Sequence, residues 1–406
     1  MQDVASVALR VKIGDSEEPF GMTPTRPSGA VALLADLVRL SSVGADEGIV
    51  TRHCALMLSA VNARTQFINW APNREQLVAR VGGNGPPLTL AGHVDTVPAD
   101  PASWSVDPWI GASDGNRIVG RGTSDMKSGI AAMVTAVVGH LRRPHECRGI
   151  QLILTAGEET GCQGALQIPS SALAGGGPLL VGEPTANALV PAHKGALWLR
   201  MLAKGRAAHG SSPQLGDNAV VRLARAATAL HDMTSWPSDE RFGAVTANVG
   251  MLSGGVQPNV VPDSAELLLD LRTVPGIDPQ TLRKMAGSIA GEGILISDVV
   301  DLPWVDTDLD DPFIGLVREA LAANGLPDEP AAPARFFTDA SALVGLLGHA
   351  HPGKPGVAPI PTVILGPGEP DQCHVIDEWC RLDRVEQAVA VYSSILGAWC
   401  AGTERA

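Results

Sequence analysis

Short apolar runs alternate with longer periodic stretches in the first and last parts of the chain. Continuous apolar runs bounded by turn residues are typical of buried strands. They comprise residues 88–91, 150–155, 178–181 and 361–365. Apolar positions three and four residues apart predict helices instead. They occur over residues 31–40, 129–141, 311–324 and 385–400. The alternation predicts an α/β unit in which a mixed sheet is flanked by helices.

The middle of the chain has a different pattern. Residues 196–203 alternate between apolar and polar positions, as in a half-exposed strand, and an amphipathic helix follows over 218–233. The split βαβ order is then completed by two further strands, a second helix at 279–290 and a last strand near 294–299. We therefore expect an inserted α+β, ferredoxin-like lid or dimerisation domain at 193–302. Residues 1–192 and 303–406 would then form one discontinuous catalytic domain.

Acidic side chains and an imidazole follow the predicted strands of the outer unit. They are His93, Asp95, Asp125, Glu158, Glu159 and Glu183. Ligands of open α/β sheets bind at the carboxyl ends of the strands. Carboxylates gathered at one such edge repel each other unless a cation neutralises them. The repeated placement predicts a metal site, whereas the His93-Val94-Asp95 motif alone also fits a buried histidine bonded to its neighbour.

The adjacent pair Glu158 and Glu159 fits a division of roles. Two consecutive residues of extended chain point to opposite sides. One carboxylate can therefore bind a metal while its neighbour acts as a general base on water.

Composition narrows the class of protein. The chain has 406 residues, 45% of them hydrophobic, and a formal net charge of −13, which disfavours nucleic acid and anionic membranes as partners. No apolar run reaches the roughly 18 residues of a membrane helix, and no signal peptide is recognisable. The six cysteines are scattered without a CxxC motif, so we expect reduced thiols and a cytoplasmic location.

Six motifs in order resemble the M20 family of metallopeptidases and amidohydrolases, from about residue 28 onwards. This family includes acetylornithine deacetylase, succinyl-diaminopimelate desuccinylase and carboxypeptidase G. The motifs are Gly92-His93-Val94-Asp95, Gly120-Arg121-Gly122-Thr123-Ser124-Asp125, Gly157-Glu158-Glu159, Gly182-Glu183-Pro184, Ala207-Ala208-His209-Gly210 and Asp371-Gln372-Cys373-His374. The resemblance implies a zinc-exopeptidase-like catalytic domain with two zinc ions per chain, for which cobalt or manganese could substitute.

The resemblance also implies a set of metal ligands. His93, Asp125 and Glu183 would hold one zinc ion, and Asp125, Glu159 and His374 would hold the other, so that Asp125 bridges them. Asp95 would orient His93, and Glu158 would be the general base. A cis peptide bond is expected between Asp125 and Met126.

Further residues carry family roles through their positions in the motifs. His209 resembles the histidine that stabilises the oxyanion, often across a homodimer. Without the resemblance, its polar loop would indicate an ordinary exposed histidine. Arg272 resembles the arginine that binds a substrate carboxylate, and a surface pair with an acid is the alternative. Asn259, Thr338 and Asp339 would line the pocket. Ser124 departs from the family, which usually has alanine at this position, and Cys373 sits beside His374.

The expected activity is hydrolysis of the amide in a small N-acyl-amino acid, as in the deacetylase and desuccinylase. Release of a C-terminal amino acid, as in carboxypeptidase G, is the alternative for the same motifs, and hydrolysis of an N-carbamoyl amino acid is the third. A non-catalytic metal-binding protein is disfavoured because it would not need Glu158. The pocket loops decide which acyl group and amino acid are accepted, and the motifs do not define those loops.

Overall fold

The computed structural model describes residues 29–83, 85–142, 149–349 and 360–401. The helices are α1 (Ala30–Arg39), α2 (Gly48–Ser59), α3 (Ser128–Leu141), α4 (Ala219–Asp232), α5 (Pro279–Ala290), α6 (Pro312–Ala323), α7 (Ala340–His349) and α8 (Leu382–Ala401). None of the helices in these ranges is long and apolar enough to cross a membrane.

The strands of the first part are β1 (Arg64–Ala71), β2 (Arg74–Val81), β3 (Leu88–His93), β4 (Ala112–Ser113), β5 (Arg117–Val119), β6 (Ile150–Thr155), β7 (Leu179–Val181) and β8 (Ala192–His193). Those of the remainder are β9 (Gly195–Lys204), β10 (Ser238–Asp239), β11 (Gly243–Ala244), β12 (Thr246–Gly254), β13 (Ser264–Thr273), β14 (Ile294–Leu302), β15 (Val305–Asp306), β16 (Thr362–Ile364) and β17 (Trp379–Arg381).

The main sheet is mixed, as the apolar runs predict. Its strand order is β1-β2-β6-β3-β7-β16. Strands β6, β3, β7 and β16 are parallel to one another, whereas β1 and β2 form an antiparallel hairpin at one edge. Strands β3 and β6 are buried along their whole length, which explains their continuous apolar sequence.

Helices cover both faces of this sheet. On one face, α1, α2, α3, α6 and α8 pack with alternate residues of the strands, such as Leu90 and Leu152. On the other face, α7 packs against residues that include Ala91 and Ile153. Helix α3 begins unusually close to the sheet, because a Cβ added at Gly129 would lie 2.0 Å from the carbonyl oxygen of Gly182. This approach brings the segment before α3 to the carboxyl edge of the sheet.

The middle of the chain forms a second sheet with the order β12-β13-β9-β14, antiparallel throughout. Helices α4 and α5 share a separate apolar core with one face of it. Strand β13 shows the alternation expected there, since Leu267, Leu269 and Leu271 are buried and the residues between them are half-exposed. This is the ferredoxin-like arrangement that the sequence predicts, and we call it the lid. Its boundaries at 193 and 302 remain a prediction.

The sequence analysis misses one strand, and one of its expectations is wrong. The sequence gives no indication of β1, because this edge strand has a single buried residue, Ile68, and no apolar alternation. The expectation of six reduced cysteines is wrong: Cys54, Cys162, Cys373 and Cys380 are free, but Cys400 is disulfide-bonded. Cys147 lies outside the described residues.

Candidate metal centre

The carboxyl ends of the four parallel strands lie level with one another. His93, the last residue of β3, is in register with Thr155, the last residue of β6. Val181, at the end of β7, is in register with Ala91 on one side and Ile364 on the other. The polar residues that follow these strands are therefore delivered to one edge of the sheet. We call the following residues the strand-end cluster: His93, Asp125, Glu158, Glu159, Glu183 and His374.

Asp125 lies at the centre of this cluster. Its Oδ1 atom is 3.1 Å from Nε2 of His93, and its Oδ2 atom is 3.3 Å from Nε2 of His374. The two oxygens of one carboxylate therefore face two different imidazoles. The peptide bond between Asp125 and Met126 is cis, as the resemblance implies.

The remaining carboxylates stand on either side of Asp125. Oε1 of Glu183 is 3.7 Å from Nε2 of His93, and Oε2 of Glu159 is 2.9 Å from Nε2 of His374. The potential ligand atoms of His93, Asp125 and Glu159 all lie within 4.8 Å of one another. Imidazole nitrogens and carboxylate oxygens at such spacing suit zinc and similar divalent cations.

The electrostatics of the cluster favour a cation. Burial raises the pKa of Glu183 well above its ordinary range, and repulsion from Asp125, Asp339 and Glu159 adds to this effect, although His93 opposes it. Neighbouring carboxylates hold the pKa of His93 well above its ordinary value despite complete burial. A divalent cation would relieve the repulsion among the carboxylates, so the residues present fit a metal centre.

Asp95 contacts both His93 and the turn that carries Glu158 and Glu159. Nδ1 of His93 lies 3.0 Å from the main-chain oxygen of Asp95 and 3.6 Å from its carboxylate. The Asp95 carboxylate accepts hydrogen bonds from the backbone N–H groups of Gly157, Glu158 and Glu159, at 2.8, 3.3 and 3.2 Å. Burial opposes ionisation, but His93 and the backbone N–H groups of Glu158 and Glu159 still lower the pKa of Asp95. Asp95 thus holds both the imidazole and the turn that carries the glutamate pair.

The two neighbouring glutamates are in different environments. Glu159 contacts His374, whereas Glu158 is almost completely buried. Burial raises the pKa of Glu158 well above its ordinary value, and the charges of Glu183, Asp339 and Glu159 raise it further, against the influence of His93. A carboxylate with a raised pKa is a stronger base, which is the property that a proton acceptor requires.

The turn that carries Glu158 has a half-buried support that the sequence analysis missed. Gly157 has a φ of +75°, and a Cβ there would lie 3.0 Å from Cζ2 of Trp70. The guanidinium of Arg74 stacks 4.4 Å from the centre of the Trp70 ring and pairs with the buried Glu47. Trp70 and Arg74 lie at the β1–β2 hairpin, and without β1 the sequence provides no signal for this contact.

His209 and Asn259 lie together on the lid. His209 is exposed, and its Nδ1 atom is 2.7 Å from Oγ of Ser211. The main-chain oxygen of Asn259 accepts a hydrogen bond of 2.7 Å from the backbone N–H of Gly210. The structure therefore brings these two predicted residues next to each other on an exposed loop of the lid, outside the strand-end cluster.

Arg272 is paired within the lid and also contacts the unit built on the main sheet. Its guanidinium donates three hydrogen bonds of 2.9 to 3.1 Å to Asp270. Its Cζ atom is 4.9 Å from the centre of the Phe337 ring. Phe337 immediately precedes Thr338 and Asp339, so Arg272 lies at the junction between the lid and the unit built on the main sheet.

Thr338 and Asp339 are buried within that junction. Oγ1 of Thr338 is 3.1 Å from Nε2 of His193, and Asp339 accepts a hydrogen bond from Thr155 at the end of β6. The other oxygen of Asp339 has no hydrogen-bond partner although it is buried. Burial raises the pKa of Asp339 to about 6. Asp339 thus supports the end of β6, directly before the turn of Glu158.

A cluster of imidazoles and carboxylates at the carboxyl edge of a mixed sheet, beside a ferredoxin-like lid, defines a metal-dependent hydrolase. Residues 89–398 match the model of peptidase family M20/M25/M40, and the chain belongs to this family of amide-bond hydrolases.

Relatives known from sequence agree with this assignment. The chain is 30% identical over 417 aligned residues to a probable succinyl-diaminopimelate desuccinylase of Staphylococcus epidermidis, covering 93% of this chain and 99% of the relative. It is 29% identical to an acetylornithine deacetylase of Vibrio cholerae, covering 84% of this chain and 89% of that enzyme.

Solved structures share the fold. A tripeptidase from Staphylococcus aureus superposes with a TM-score of 0.70 at 21% identity, over 92% of this chain and 98% of that one. A dinuclear metal-binding M20 peptidase from Bacillus subtilis superposes with a TM-score of 0.63 at 16% identity, over 92% and 98% of the two chains.

Proposed function

We propose that the protein binds two zinc ions and hydrolyses the amide bond of a small N-acyl-amino acid. The observation that carries this proposal is the position of Asp125, whose two oxygens face the imidazoles of His93 and His374 at 3.1 and 3.3 Å. His93, Asp125 and Glu183 would hold one ion, and Asp125, Glu159 and His374 the other. When bound, the ions would polarise the amide carbonyl and lower the pKa of the attacking water.

Glu158 would move the proton in this reaction. Its burial and the surrounding carboxylates raise its pKa, so it can accept a proton from the water and return it to the nitrogen of the leaving amine. Asp95 would keep Glu158 in place through the backbone of residues 157–159. His209 would donate to the developing oxyanion, either within its own chain or across a homodimer.

The acyl-amino acid assignment rests on the named relatives, a desuccinylase and a deacetylase. Arg272, at the junction beside Phe337, would bind the free carboxylate of the substrate. Asn259, Thr338 and Asp339 would shape the pocket around it. For this role Arg272 must exchange part of its pairing with Asp270 for the substrate.

Release of a C-terminal amino acid is the second candidate. A metallo-carboxypeptidase from Sulfolobus solfataricus superposes with a TM-score of 0.71 at 18% identity, over 91% of this chain and 99% of that one. Hydrolysis of an N-carbamoyl amino acid is the third candidate from the same family.

A substrate panel separates these candidates. Purified protein loaded with zinc or cobalt is assayed on N-acetyl, N-succinyl and N-carbamoyl amino acids and on dipeptides. The proposal expects the highest kcat/KM on an N-acetyl or N-succinyl amino acid. Preference for dipeptides would favour the carboxypeptidase activity, and no turnover on any member of the panel would contradict the proposed hydrolase.

A further inference from the structure

Glu378 holds the backbone on the amino-terminal side of Asp125. One of its carboxylate oxygens accepts hydrogen bonds from the N–H groups of Ser124 and Asp125, at 2.7 and 3.0 Å. The other accepts from the N–H of Gly122 at 2.9 Å and from Nη1 of Arg121 at 2.7 Å. Glu378 is completely buried. Four donors on one carboxylate saturate it, so the segment that carries Asp125 has little freedom to move relative to Glu378.

Ser124 connects that segment to the loop that carries His374. Its hydroxyl donates to the main-chain oxygen of Trp379 at 2.7 Å and accepts from the backbone N–H of Glu369 at 2.9 Å. The two segments also pack closely, since a Cβ added at Gly368 would lie 2.1 Å from the carbonyl oxygen of Ser124. The M20 family usually has alanine at this position, and an alanine could make neither hydrogen bond.

The two imidazoles of the cluster depend on their supports to different degrees. The His93 side chain is 1% exposed at the end of a central strand, whereas that of His374 is 53% exposed on a loop. Residues 185–187 hold the start of this loop through Gly366 and Gly368. The hydrogen bond from Glu369 to Ser124 lies nearer to His374 along the chain. On the other side of His374, Asp377 accepts hydrogen bonds from the backbone N–H and the hydroxyl of Ser105, at 2.8 and 2.7 Å. Ser124 is therefore the anchor on the amino-terminal side of His374, whereas His93 is held by its strand.

We propose that Glu378 and Ser124 are positioning residues that set the spacing between Asp125 and His374. Glu378 orients Asp125 for both ions of the proposed metal centre, whereas Ser124 acts on the ion shared by Asp125, Glu159 and His374. This inference rests on the proposed two-metal site. Supporting residues behind metal ligands contribute about 10- to 100-fold to metal affinity.

Zinc titration of the metal-free full-length protein tests the inference without an activity assay. We expect Ser124→Ala to weaken the binding of one zinc ion about tenfold and to leave the other unchanged. Glu378→Gln should weaken both, because an amide cannot accept from all four donors. In a His374→Ala background, Ser124→Ala should have no further effect, whereas Glu378→Gln should still weaken the remaining ion.

Thr307→Val is the matched control. The Thr307 hydroxyl donates to the main-chain oxygen of Thr362 at 2.7 Å and accepts from its N–H at 2.8 Å, the same pattern as Ser124, but it serves none of the proposed ligand loops. Its substitution should leave both zinc affinities unchanged. If Glu378→Gln does not fold, Glu378→Asp provides the same comparison, since it keeps the charge and shortens the side chain.

The outcomes separate this inference from the proposed function. If the wild type fails to bind two zinc ions, the proposed metal centre itself is wrong. If the wild type binds two ions and Ser124→Ala binds both with unchanged affinity, the inference is overturned. Equal weakening in Ser124→Ala and Thr307→Val would also overturn it, because the effect would then reflect a general loss of packing.

Discussion

The strand-end cluster and the lid loop that carries His209 differ in what fixes their side chains. In the cluster, strand register and the local backbone bring His93, Glu159 and His374, from three separate segments, close to Asp125. On the lid loop, His209 is exposed and its imidazole bonds to its own neighbour Ser211. The cluster is thus formed by the fold of one unit, whereas any role of His209 requires the lid or a partner to bring it to the substrate.

Glu158→Gln tests the chemistry of the cluster and has the largest expected effect. The amide keeps the shape of the side chain but cannot accept the proton of the water, so kcat should fall at least about 100-fold with both metals retained. Activity and zinc content are measured on the same preparation. Loss of zinc in this variant would mean that Glu158 is a ligand and that its role and that of Glu159 are exchanged.

His209→Ala tests whether the lid contributes to the reaction. Removal of an oxyanion donor should lower kcat about 100-fold and leave zinc binding unchanged. Mixing this variant with Glu158→Gln under subunit exchange should restore part of the activity if His209 acts across a homodimer. Wild-type kcat in His209→Ala would show that the histidine is an ordinary loop residue.

The junction between the lid and the unit built on the main sheet contains a buried histidine, His193, that makes stability depend on pH. Burial lowers the pKa of His193 from 6.5 to about 4. As the pH falls below 6.5, the unfolded state takes up a proton that the folded state does not accept until about pH 4, so this contribution to stability is present above pH 6.5 and is lost on acidification. The free energy of unfolding should fall by about 2 kcal/mol from this source between pH 7.5 and 5.

The measurement is urea unfolding as a function of pH, for the wild type and for His193→Gln. The glutamine variant lacks the titrating group, so its stability should depend less on pH across this window, whatever its stability at pH 7.5. Parallel curves for the two proteins would show that His193 does not titrate differently on folding.

Arg272→Lys has the smallest expected effect and tests the link from lid to substrate. A lysine keeps the charge but lacks the planar fork that binds a carboxylate through two hydrogen bonds. We expect kcat/KM to fall about tenfold for substrates with a free carboxylate and much less for their amides. If the substitution changes neither, Arg272 serves only its pair with Asp270.

The residues of the strand-end cluster can be predicted from the sequence better than the residues that hold them in place. Periodicity locates the strands that end beside His93, Glu158 and Glu183, because a continuous buried strand has a distinctive pattern. The same pattern places Asp125 after a strand of that unit, but the strand before it, β5, lies in the separate sheet β17-β5-β4 and not in the main sheet. His374 comes from a loop, and only the family motif identifies it. Glu378 lies 254 residues from Ser124 along the chain, and their contact depends on tertiary packing that no local pattern encodes.

The central claim is that the strand-end cluster binds two divalent metal ions through Asp125. The most direct measurement is the metal content of the dialysed protein, together with the variants His93→Ala and His374→Ala. We predict close to two equivalents of zinc for the wild type and a loss of about one equivalent in each variant. A metal-free protein with full activity, or variants that keep both ions, would contradict the account.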